Sequence, residues 1–341
     1  MYFEHVQNIG YGKRSMKIVI PGGSGQVGTI LARAFLKDGH EVVVLNRHQS
    51  SQPWRTVLWD GVTLGDWAKE LDGCDVVINL AGRSVNCRYN AANRKEILDS
   101  RVKSTQVVGQ ASALAERQPR VWLQMSTATI YAHRYDAPND EMTGLIGGTE
   151  PDVPETWRFS IDVAQAWERT FHEAQVDRTR KIALRTAMVM SPDAGGVFDT
   201  LLKLVKMGLG GKAGDGRQFV SWIHHEDFVR AIVWLIEHED VSGAVNLAAP
   251  NPLPNAEFMR ELRKASGVPF GLPATKWMLE LGAIFMQTET ELILKNRRVV
   301  PGRMLEQGFL FRFPFWRNAV EDILDHRNKQ VINSANLKET V

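Results

Sequence analysis

A short apolar strand that runs directly into a glycine-rich loop constrains this chain more than any other feature. Residues 17–28 read KIVIPGGSGQVG. Glycines at this spacing let the backbone turn tightly, bring its N–H groups close to phosphate oxygens, and pack the next helix against the sheet. The N-terminus of that helix adds partial positive charge. The loop is therefore predicted to bind the pyrophosphate of a dinucleotide, through Gly22, Gly23, Ser24, Gly25, Gln26, Val27 and Gly28.

The surroundings of the loop favour this interpretation over a plain strand-to-helix turn, which glycines also mark. From Val27 to Phe35 the apolar residues are spaced as on one face of a helix. Gly39 follows as a C-terminal cap, and residues 41–45 form a second apolar strand. These segments complete the strand–loop–helix–strand unit that a dinucleotide site requires.

Apolar strands and helices continue to alternate beyond this unit. Continuous apolar strands separated by helices are typical of a parallel sheet covered on both faces. The predicted fold class is therefore α/β, a Rossmann-type doubly wound parallel sheet. Further strands are expected at 75–80, 121–125, 181–190 and 244–247, and further helices at 91–114, 161–174 and 227–237.

The bulk composition excludes several classes of partner. The net charge of the 341 residues is +2, so no global basic field exists to hold nucleic acid or an anionic membrane. Two cysteines, Cys74 and Cys87, are too few for a disulfide framework, and no paired Cys/His spacing predicts a metal site. We find no signal peptide or membrane-spanning run, so a reducing cytoplasm fits best.

The residues after the second strand predict which nicotinamide cofactor is bound. An enzyme that selects NAD usually has a carboxylate there to accept hydrogen bonds from the ribose. This chain has Asn46, Arg47 and His48 instead. The Arg47 guanidinium can pair with a 2′-phosphate, which favours NADP(H), although a solvated surface charge is the alternative.

The strand DVVINLAG brings small residues to the carboxyl edge of the sheet, where a cofactor can lie against the backbone. These are Leu80, Ala81 and Gly82. On the helix that follows, Glu96 and Arg101 could face the ribose and phosphates, or could be ordinary charges of a surface helix.

After about residue 249 the strong strand signals end. The aromatic-rich run FLFRFPFW and the surrounding helical patterns indicate a small, mostly helical C-terminal substrate lobe. The glycine-rich run at 208–219 is either a loop across the carboxyl ends of the strands or a mobile surface connection. The predicted organisation is an extension over 1–15, an NADP-binding Rossmann domain over 16–249 in which 190–225 contributes to the substrate side, and a lobe over 250–341 that contains an amphipathic helix at 277–294.

Several longer motifs resemble one family closely. They are GGSGQVG at 22–28, NLAG at 79–82, RKEILDSR at 94–101, STATIYA at 126–132, GRQFVSWIHHED at 216–227 and VNLAAPNPLPNAEF at 245–258. From residue 16 onward the chain resembles the extended short-chain dehydrogenases/reductases, in an atypical epimerase-like branch with a short C-terminal domain. The resemblance implies NADP(H) contacts at the glycine loop, Asn46, Arg47, Leu80, Ala81, Glu96, Arg101 and a backbone position near Val189.

The same resemblance exposes a gap in the catalytic residues. Ordinary members use a tyrosine base with a lysine four residues later, because a free tyrosine has a pKa near 10 and needs a cation to act near neutrality. Here those positions hold Ser160 and Ala164. Thr127, preceded by Ser126, matches the strand-end hydroxyl that holds the substrate oxygen, although a strand-end hydroxyl also forms turns. Three other proton donors are conceivable, namely Tyr131, Glu168 and His224.

Substrate recognition departs from the family pattern as well. The arginine that usually holds the diphosphate of a nucleotide sugar is replaced by Val220, with Arg217 as a partial substitute. Trp222 and His224 are candidates for a pocket wall, and His224 could instead be a structural histidine at a helix start.

Two functions remain open. The first is an NADP(H)-dependent oxidoreductase or epimerase of atypical chemistry, which acts on a small polar or sugar-like molecule. The second is a binding protein that senses NADP(H) without turning it over, which the missing tyrosine and lysine favour. The sequence leaves the substrate and the oligomeric state open.

Overall fold

The structure is a computed structural model that describes residues 14–151, 153–275, 278 and 289–339. Its strands are β1 (Lys17–Pro21), β2 (Glu41–Asn46), β3 (Arg55–Leu58), β4 (Val76–Asn79), β5 (Val121–Thr127), β6 (Arg180–Thr186), β7 (Met188–Met190), β8 (Phe219–Val220), β9 (Trp222–His224), β10 (Gly243–Leu247) and β11 (Leu253–Pro254). Seven of them form one parallel sheet in the order β3-β2-β1-β4-β5-β6-β10. This confirms the predicted doubly wound α/β fold.

Helices cover both faces of this sheet. The described helices are α1 (Gln26–Lys37), α2 (Ala91–Leu114), α3 (Glu155–Glu173), α4 (Val197–Lys206), α5 (His225–Glu237), α6 (Asn255–Ala265), α7 (Glu291–Leu294), α8 (Gly302–Glu306) and α9 (Trp316–Glu339). Alternate strand residues face opposite layers. Ile18 of β1 packs with α1 and α5, whereas Val19 packs with α2 and α3.

The strand order reverses between β1 and β4. The chain first builds outward from β1 through β2 to β3, and then returns to place β4 on the other side of β1. Ligands of open α/β sheets bind in the crevice at the carboxyl ends of the strands where this reversal occurs. The glycine loop after β1 and the NLAG segment after β4 both lie at this point.

The region predicted as one strand over 181–190 is divided in two. β6 belongs to the central sheet, and β7 pairs with β9 in a separate two-stranded ladder. The break falls at Ala187, whose N–H donates to the carbonyl of Leu247 in β10. The prediction of a single strand is therefore wrong, because both halves are apolar and only their partners distinguish them.

The C-terminal helices pack on the substrate side through an aromatic cluster. Trp316 of α9 stacks on Phe258 of α6 with ring centroids 4.1 Å apart, and its ring centroid lies 5.0 Å from that of Trp222. The glycine-rich run at 208–219 is hydrogen-bonded along 272–274, so it is neither a free surface connection nor an isolated loop.

Some predicted segments lie largely outside the described residues. These are the extension over 1–15, of which only residues 14 and 15 are described, and the helix over 277–294, of which 291–294 is helical. Within the described part of the chain, no helix has the length and apolar character needed to cross a membrane.

Candidate functional site

The glycine loop after β1 approaches the end of β4 so closely that no side chain fits between them. Gly22 has φ +72°, and a Cβ on it would lie 2.6 Å from the Cα of Ala81. A Cβ on Gly28 would lie 2.3 Å from the carbonyl oxygen of Gly23, so α1 starts directly against the loop. A Cβ on Gly25, the N-cap of α1, would meet no atom of the described residues within 4 Å apart from its chain neighbours. A cradle of bare backbone at a helix N-terminus fits a pyrophosphate.

Asn46 fastens the end of β2 to this loop. Its side-chain oxygen accepts hydrogen bonds from the Ser24 hydroxyl at 3.1 Å and from the Arg47 N–H at 2.9 Å. Its amide donates to the carbonyl of His48 at 2.9 Å. Asn46, which the sequence predicts to contact the cofactor, therefore also orients the backbone of Arg47 at the end of β2.

Arg47 lies at the mouth of an open groove with a volume of about 670 Å³. The groove is lined by two tryptophans, Trp59 and Trp67, with Asp60 and Glu70 at its rim. Among the residues that the structure describes, none pairs with the Arg47 guanidinium, which is exposed. The groove therefore places an exposed cation near aromatic side chains and near the carboxylates of Asp60, Asp66 and Glu70.

Two predicted cofactor contacts on α2 have other partners. Glu96 is exposed and pairs with Arg83 at 2.9 Å. Arg101 packs its guanidinium 5.0 Å from the ring of Trp167 and donates to the carbonyls of Arg83 and Ile97, both at 3.0 Å. Burial lowers the pKa of Arg101 to about 10. The guanidinium of Arg101 lies directly beside Gly82, so Arg101 packs against the NLAG segment at the end of β4.

The loop after β7 closes the other side of the crevice. Gln26 donates through its side-chain amide to the Ser191 hydroxyl at 2.8 Å, and Arg33 pairs with Asp193 at 3.3 Å. Val189 is buried and pairs with Ile223 in the β7–β9 ladder. α1 is therefore held against the segment in which the sequence placed a cofactor contact.

Of the three hydroxyls predicted for catalysis, two are buried in one polar network. Ser126 donates to Glu168 at 2.6 Å, and Glu168 binds Arg185 through two hydrogen bonds of 2.9 and 2.8 Å. Arg185 donates to the Tyr131 hydroxyl at 3.0 Å, which donates to Asn246 at 2.9 Å. Burial also raises the pKa of Tyr131.

The catalytic roles predicted for Ser126, Tyr131 and Glu168 stay predictions. Each of these residues is at most 6% exposed and has hydrogen-bonding partners inside the protein. The third hydroxyl, Thr127, accepts a hydrogen bond from the Thr129 N–H at 3.1 Å and so forms the turn at the end of β5. Thr127 is half-buried, and its role in catalysis stays a prediction.

The structure also corrects the proposed pocket wall. Trp222 is fully buried against Trp316, and His224 is fully buried and begins α5, where its Nδ1 accepts a hydrogen bond from the Glu226 N–H at 3.2 Å. Burial lowers the pKa of His224 to about 2, so its ring is neutral. The structural interpretation of His224 is thus the one observed.

Two groups of described side chains come close enough to share a metal ion, namely His224, His225 and Asp322, and Glu226, Asp322 and His326. In the first group, Nδ1 of His224 is the acceptor, so Nε2 carries the hydrogen and faces Asp322 at 3.2 Å. A nitrogen that carries a hydrogen has no lone pair for a metal. The expectation of no metal site stays a prediction.

A second polar cluster, which the sequence did not indicate, surrounds Ser160 on α3. It is formed with residues 289–300, which we call the C-terminal strap. The Ser160 hydroxyl donates to the Glu291 carboxylate, and the Tyr89 hydroxyl lies 3.4 Å from the Ser160 hydroxyl. Glu289 accepts a hydrogen bond from the Tyr89 N–H at 2.7 Å and pairs with Arg88 at 3.2 Å.

The strap is bound along most of its length to the turn after β5. Lys295 donates to the carbonyl of Thr129 at 2.6 Å, and Arg297 donates to the Thr129 hydroxyl at 3.1 Å. Further on, Val299 donates to the Ser221 hydroxyl at 2.8 Å. The strap therefore places the side chains of Lys295 and Arg297 at the turn after β5, the strand that ends at Thr127.

Burial changes the proton affinity of these strap groups. It raises the pKa of Glu291, and it lowers the pKa of Lys295 to about 8, with help from the nearby Arg297 charge. Burial and the Glu291 charge raise the pKa of Tyr89 to about 12. Clusters of perturbed groups at the carboxyl edge of a sheet are typical of functional sites.

Comparison with known proteins agrees with this architecture. The model of the NAD dependent epimerase/dehydratase family matches residues 18–248, and that of a domain of unknown function (DUF1731) matches residues 274–323. The strap lies within the second match.

Named relatives match this chain over about nine-tenths of its length. "Epimerase family protein SDR39U1" of Bos taurus is 30% identical over 313 residues, 91% of this chain and 100% of that protein. "Epimerase family protein SERP0438" of Staphylococcus epidermidis is 29% identical over 308 residues, 90% of this chain and 99% of the relative.

Solved structures include the human epimerase family protein SDR39U1 with NADPH, which is 28% identical and has a TM-score of 0.79 over 91% of this chain and 99% of that one. The nucleoside-diphosphate sugar epimerase of Corynebacterium glutamicum is 25% identical, with a TM-score of 0.70 over 94% of this chain and 62% of that one. Sequence motifs, sheet order and family match agree, and the chain belongs to the NAD dependent epimerase/dehydratase family.

Proposed function

We propose that this chain is an NADP(H)-dependent oxidoreductase or epimerase that acts on a small polar or sugar-like molecule. The single observation that carries the proposal is the bare backbone cradle formed by Gly22 against Ala81. Arg47, whose guanidinium has no partner among the described residues, follows the neighbouring strand β2. The NADPH present in the human relative is consistent with this choice of cofactor.

The residues of the crevice have distinct roles under this proposal. The backbone N–H groups at the start of α1 would hold the pyrophosphate, and Arg47 would pair with the 2′-phosphate. Leu80, Ala81 and Gly82 would carry the cofactor along the end of β4. When bound, the nicotinamide supplies or accepts a hydride. The protein's own part is to orient the substrate, exclude water and move a proton.

The strap indicates the chemical class of the substrate. Lys295 and Arg297 place two cationic side chains at the turn after β5, where they donate to the carbonyl and the hydroxyl of Thr129. A molecule with several hydroxyls or an anionic group matches such donors. Val220 stands where the family usually has a diphosphate-binding arginine, so a complete nucleotide sugar is disfavoured.

A sensing protein is the second candidate. The observation that favours it is the packing of Ala164, which is fully buried beside Ala187 and Ala248 where ordinary members carry a lysine. Incubating the protein with NADPH and a panel of aldehydes, ketones and keto sugars separates the two functions. Stereospecific NADPH oxidation supports the enzyme, and tight binding without turnover across the panel supports the sensor.

We expect Arg47→Glu to weaken NADPH binding about 10- to 100-fold, roughly 1.4 to 2.7 kcal/mol, while NADH binding changes little. The physical reason is that the variant replaces the cation predicted to pair with the 2′-phosphate by a carboxylate, whose charge repels that phosphate. Titration calorimetry with both cofactors measures the two dissociation constants.

Arg120→Glu is the matched control for this variant. It makes the same change in net charge at a residue that pairs with Glu239 at 3.0 Å, away from the groove. An unchanged ratio of NADPH to NADH affinity in Arg47→Glu would contradict the assignment of Arg47.

A further inference from the structure

We propose that Tyr89, Ser160 and Glu291 form a proton relay that replaces the missing tyrosine–lysine pair. The proposal rests on the proposed function and deepens it by naming the groups that move the proton. The resemblance to the family implies that Ser160 occupies the helix position of the usual tyrosine. The Ser160 hydroxyl touches a phenol on one side and a carboxylate on the other.

The hydrogen bonds that join Tyr89, Ser160 and Glu291 run in one direction. Ser160 uses its only hydrogen to bind Glu291, so the Tyr89 hydroxyl is the donor in its 3.4 Å contact with Ser160. This contact is long for two hydroxyls, and catalytic hydrogen bonds often tighten when substrate binds. The sequence of donors therefore runs from Tyr89 through Ser160 to Glu291.

The relay is shielded from water and has a cation at its inner end. Tyr89 is 7% exposed and Glu291 is 1% exposed. The Arg297 guanidinium lies 3.7 Å from the Glu291 carboxylate and stabilises its ionised form. Burial favours the protonated form, which raises the pKa of Glu291. With burial and Arg297 opposing each other, Glu291 can both take up and release a proton.

The proton movement balances in both directions. For oxidation of an alcohol, the substrate hydroxyl proton passes to Tyr89 Oη as the Tyr89 proton passes to Ser160 Oγ and the Ser160 proton passes to Glu291. Glu291 becomes a neutral carboxyl group, and Tyr89 and Ser160 end as they began. For reduction of a carbonyl, the same protons move in reverse and Glu291 ends as the carboxylate. The hydride moves between substrate and nicotinamide.

Tyr89 would act as the terminal donor in this scheme. Its pKa is raised to about 12 by burial and by the Glu291 charge, so at neutral pH it holds its proton. A simple phenolate base is thus unfavourable, and Tyr89 needs the concerted removal of its proton by Ser160. In this respect the chain differs from a tyrosine activated by a neighbouring lysine.

The alternative is that the three groups only fasten the strap to α3. Infrared titration of the protein without ligand tests whether Ser160 and Glu291 are coupled, through the carbonyl band of protonated Glu291, identified by its loss in Glu291→Gln. The kinetics of the same variants then separate a relay from a purely structural contact. If the groups are coupled, Ser160→Ala raises the titration midpoint of Glu291 because the carboxylate loses its donor. Ser160→Thr, which keeps a hydroxyl, restores the wild-type midpoint. Unchanged midpoints in Ser160→Ala would overturn the relay.

A kinetic experiment tests whether the coupled groups deliver the proton. With NADPH and a carbonyl probe from the panel that the wild type reduces, Tyr89→Phe, Ser160→Ala and Glu291→Gln are each expected to lower kcat about 100-fold or more. KM for NADPH stays unchanged, and Ser160→Thr recovers most of kcat. The descending limb of the wild-type pH profile follows the infrared midpoint of Glu291.

Matched controls come from exposed groups of the same chemistry. Tyr135→Phe and Glu155→Gln remove an exposed phenol and an exposed carboxylate, and both should keep the wild-type kcat. Failure of the wild type to bind NADPH, or bound NADPH with no probe reduced, contradicts the proposed function. Full kcat in Glu291→Gln contradicts the relay.

Discussion

Gly22→Ala is expected to destabilise the fold by about 2 to 5 kcal/mol and to abolish measurable binding of NADPH. The reason has two parts. Gly22 has φ +72°, a conformation that L-residues adopt only at a conformational cost, and its Cβ would lie 2.6 Å from the Cα of Ala81. The variant must push the loop away from the end of β4, which removes the cradle. Urea denaturation and titration calorimetry measure the two effects.

Two other glycines separate the contributions. Gly39 has a similar φ of +81°, but a Cβ on it would meet no described atom within 4 Å. Gly39→Ala should therefore lower the free energy of unfolding by about 1 to 2 kcal/mol and leave NADPH binding unchanged. Gly25→Ala has an ordinary φ of −78° and equally open surroundings. It should change stability by less than about 1 kcal/mol, yet weaken NADPH binding, because its methyl group enters the space beside the start of α1.

The obstructing atoms at Gly22 belong to the backbone of residue 81. Ala81→Gly therefore should not rescue Gly22→Ala, since the nearest atoms are Cα and N rather than the methyl group. Wild-type affinity for NADPH in a folded Gly22→Ala protein would show that the cradle is not the cofactor site.

Arg185→Leu is expected to destabilise the protein by about 3 to 5 kcal/mol, because it leaves Glu168 buried without its cation. The side chains of this pair are 13% and 8% exposed, and two hydrogen bonds join them. Burial lowers the pKa of Arg185, but the hydrogen bonds and charge of Glu168, together with Tyr131, outweigh this effect and raise it, so the arginine stays charged. Thermal and urea denaturation measure the loss.

An exposed pair and a double variant serve as controls. Arg120→Leu breaks the Arg120–Glu239 pair, whose side chains are 44% and 72% exposed, and should cost no more than about 1 kcal/mol. Combining Arg185→Leu with Glu168→Leu removes both charges and should recover much of the stability. A loss below about 1 kcal/mol in Arg185→Leu would mean that the network contributes little to the fold.

Local sequence signals predicted the parts of the fold that depend on neighbouring residues. The loop from Gly22 to Gly28 and the helix over 91–114 have the positions that spacing and glycine chemistry indicated. The break at Ala187 could not be predicted, because it depends on a hydrogen bond to Leu247 in a strand formed 60 residues later. Likewise β3 (Arg55–Leu58) is a short edge strand with no strong apolar pattern.

The candidate site was predictable only where one segment builds it. The contact of Glu291 with Ser160 could not be predicted, because it joins residues 131 positions apart. Trp222 was expected at a pocket wall because nothing nearby in the sequence reveals that Trp316 covers it. An internal acidic residue in an otherwise apolar segment was the one available signal, and buried charges usually have a partner.

The length of chain spanned by the strap contacts has a consequence for folding. Lys295 and Asn296 bind partners 166 and 163 residues earlier, whereas β1 pairs with β2 across a short connection. Contacts over long separations require more chain entropy to be lost before they form. We expect pulse-labelling hydrogen exchange to show the amides of Asn296 and Val299 protected after those of β1. The dinucleotide crevice would then exist before the strap docks, so cofactor could be captured by a refolding chain that is not yet able to react.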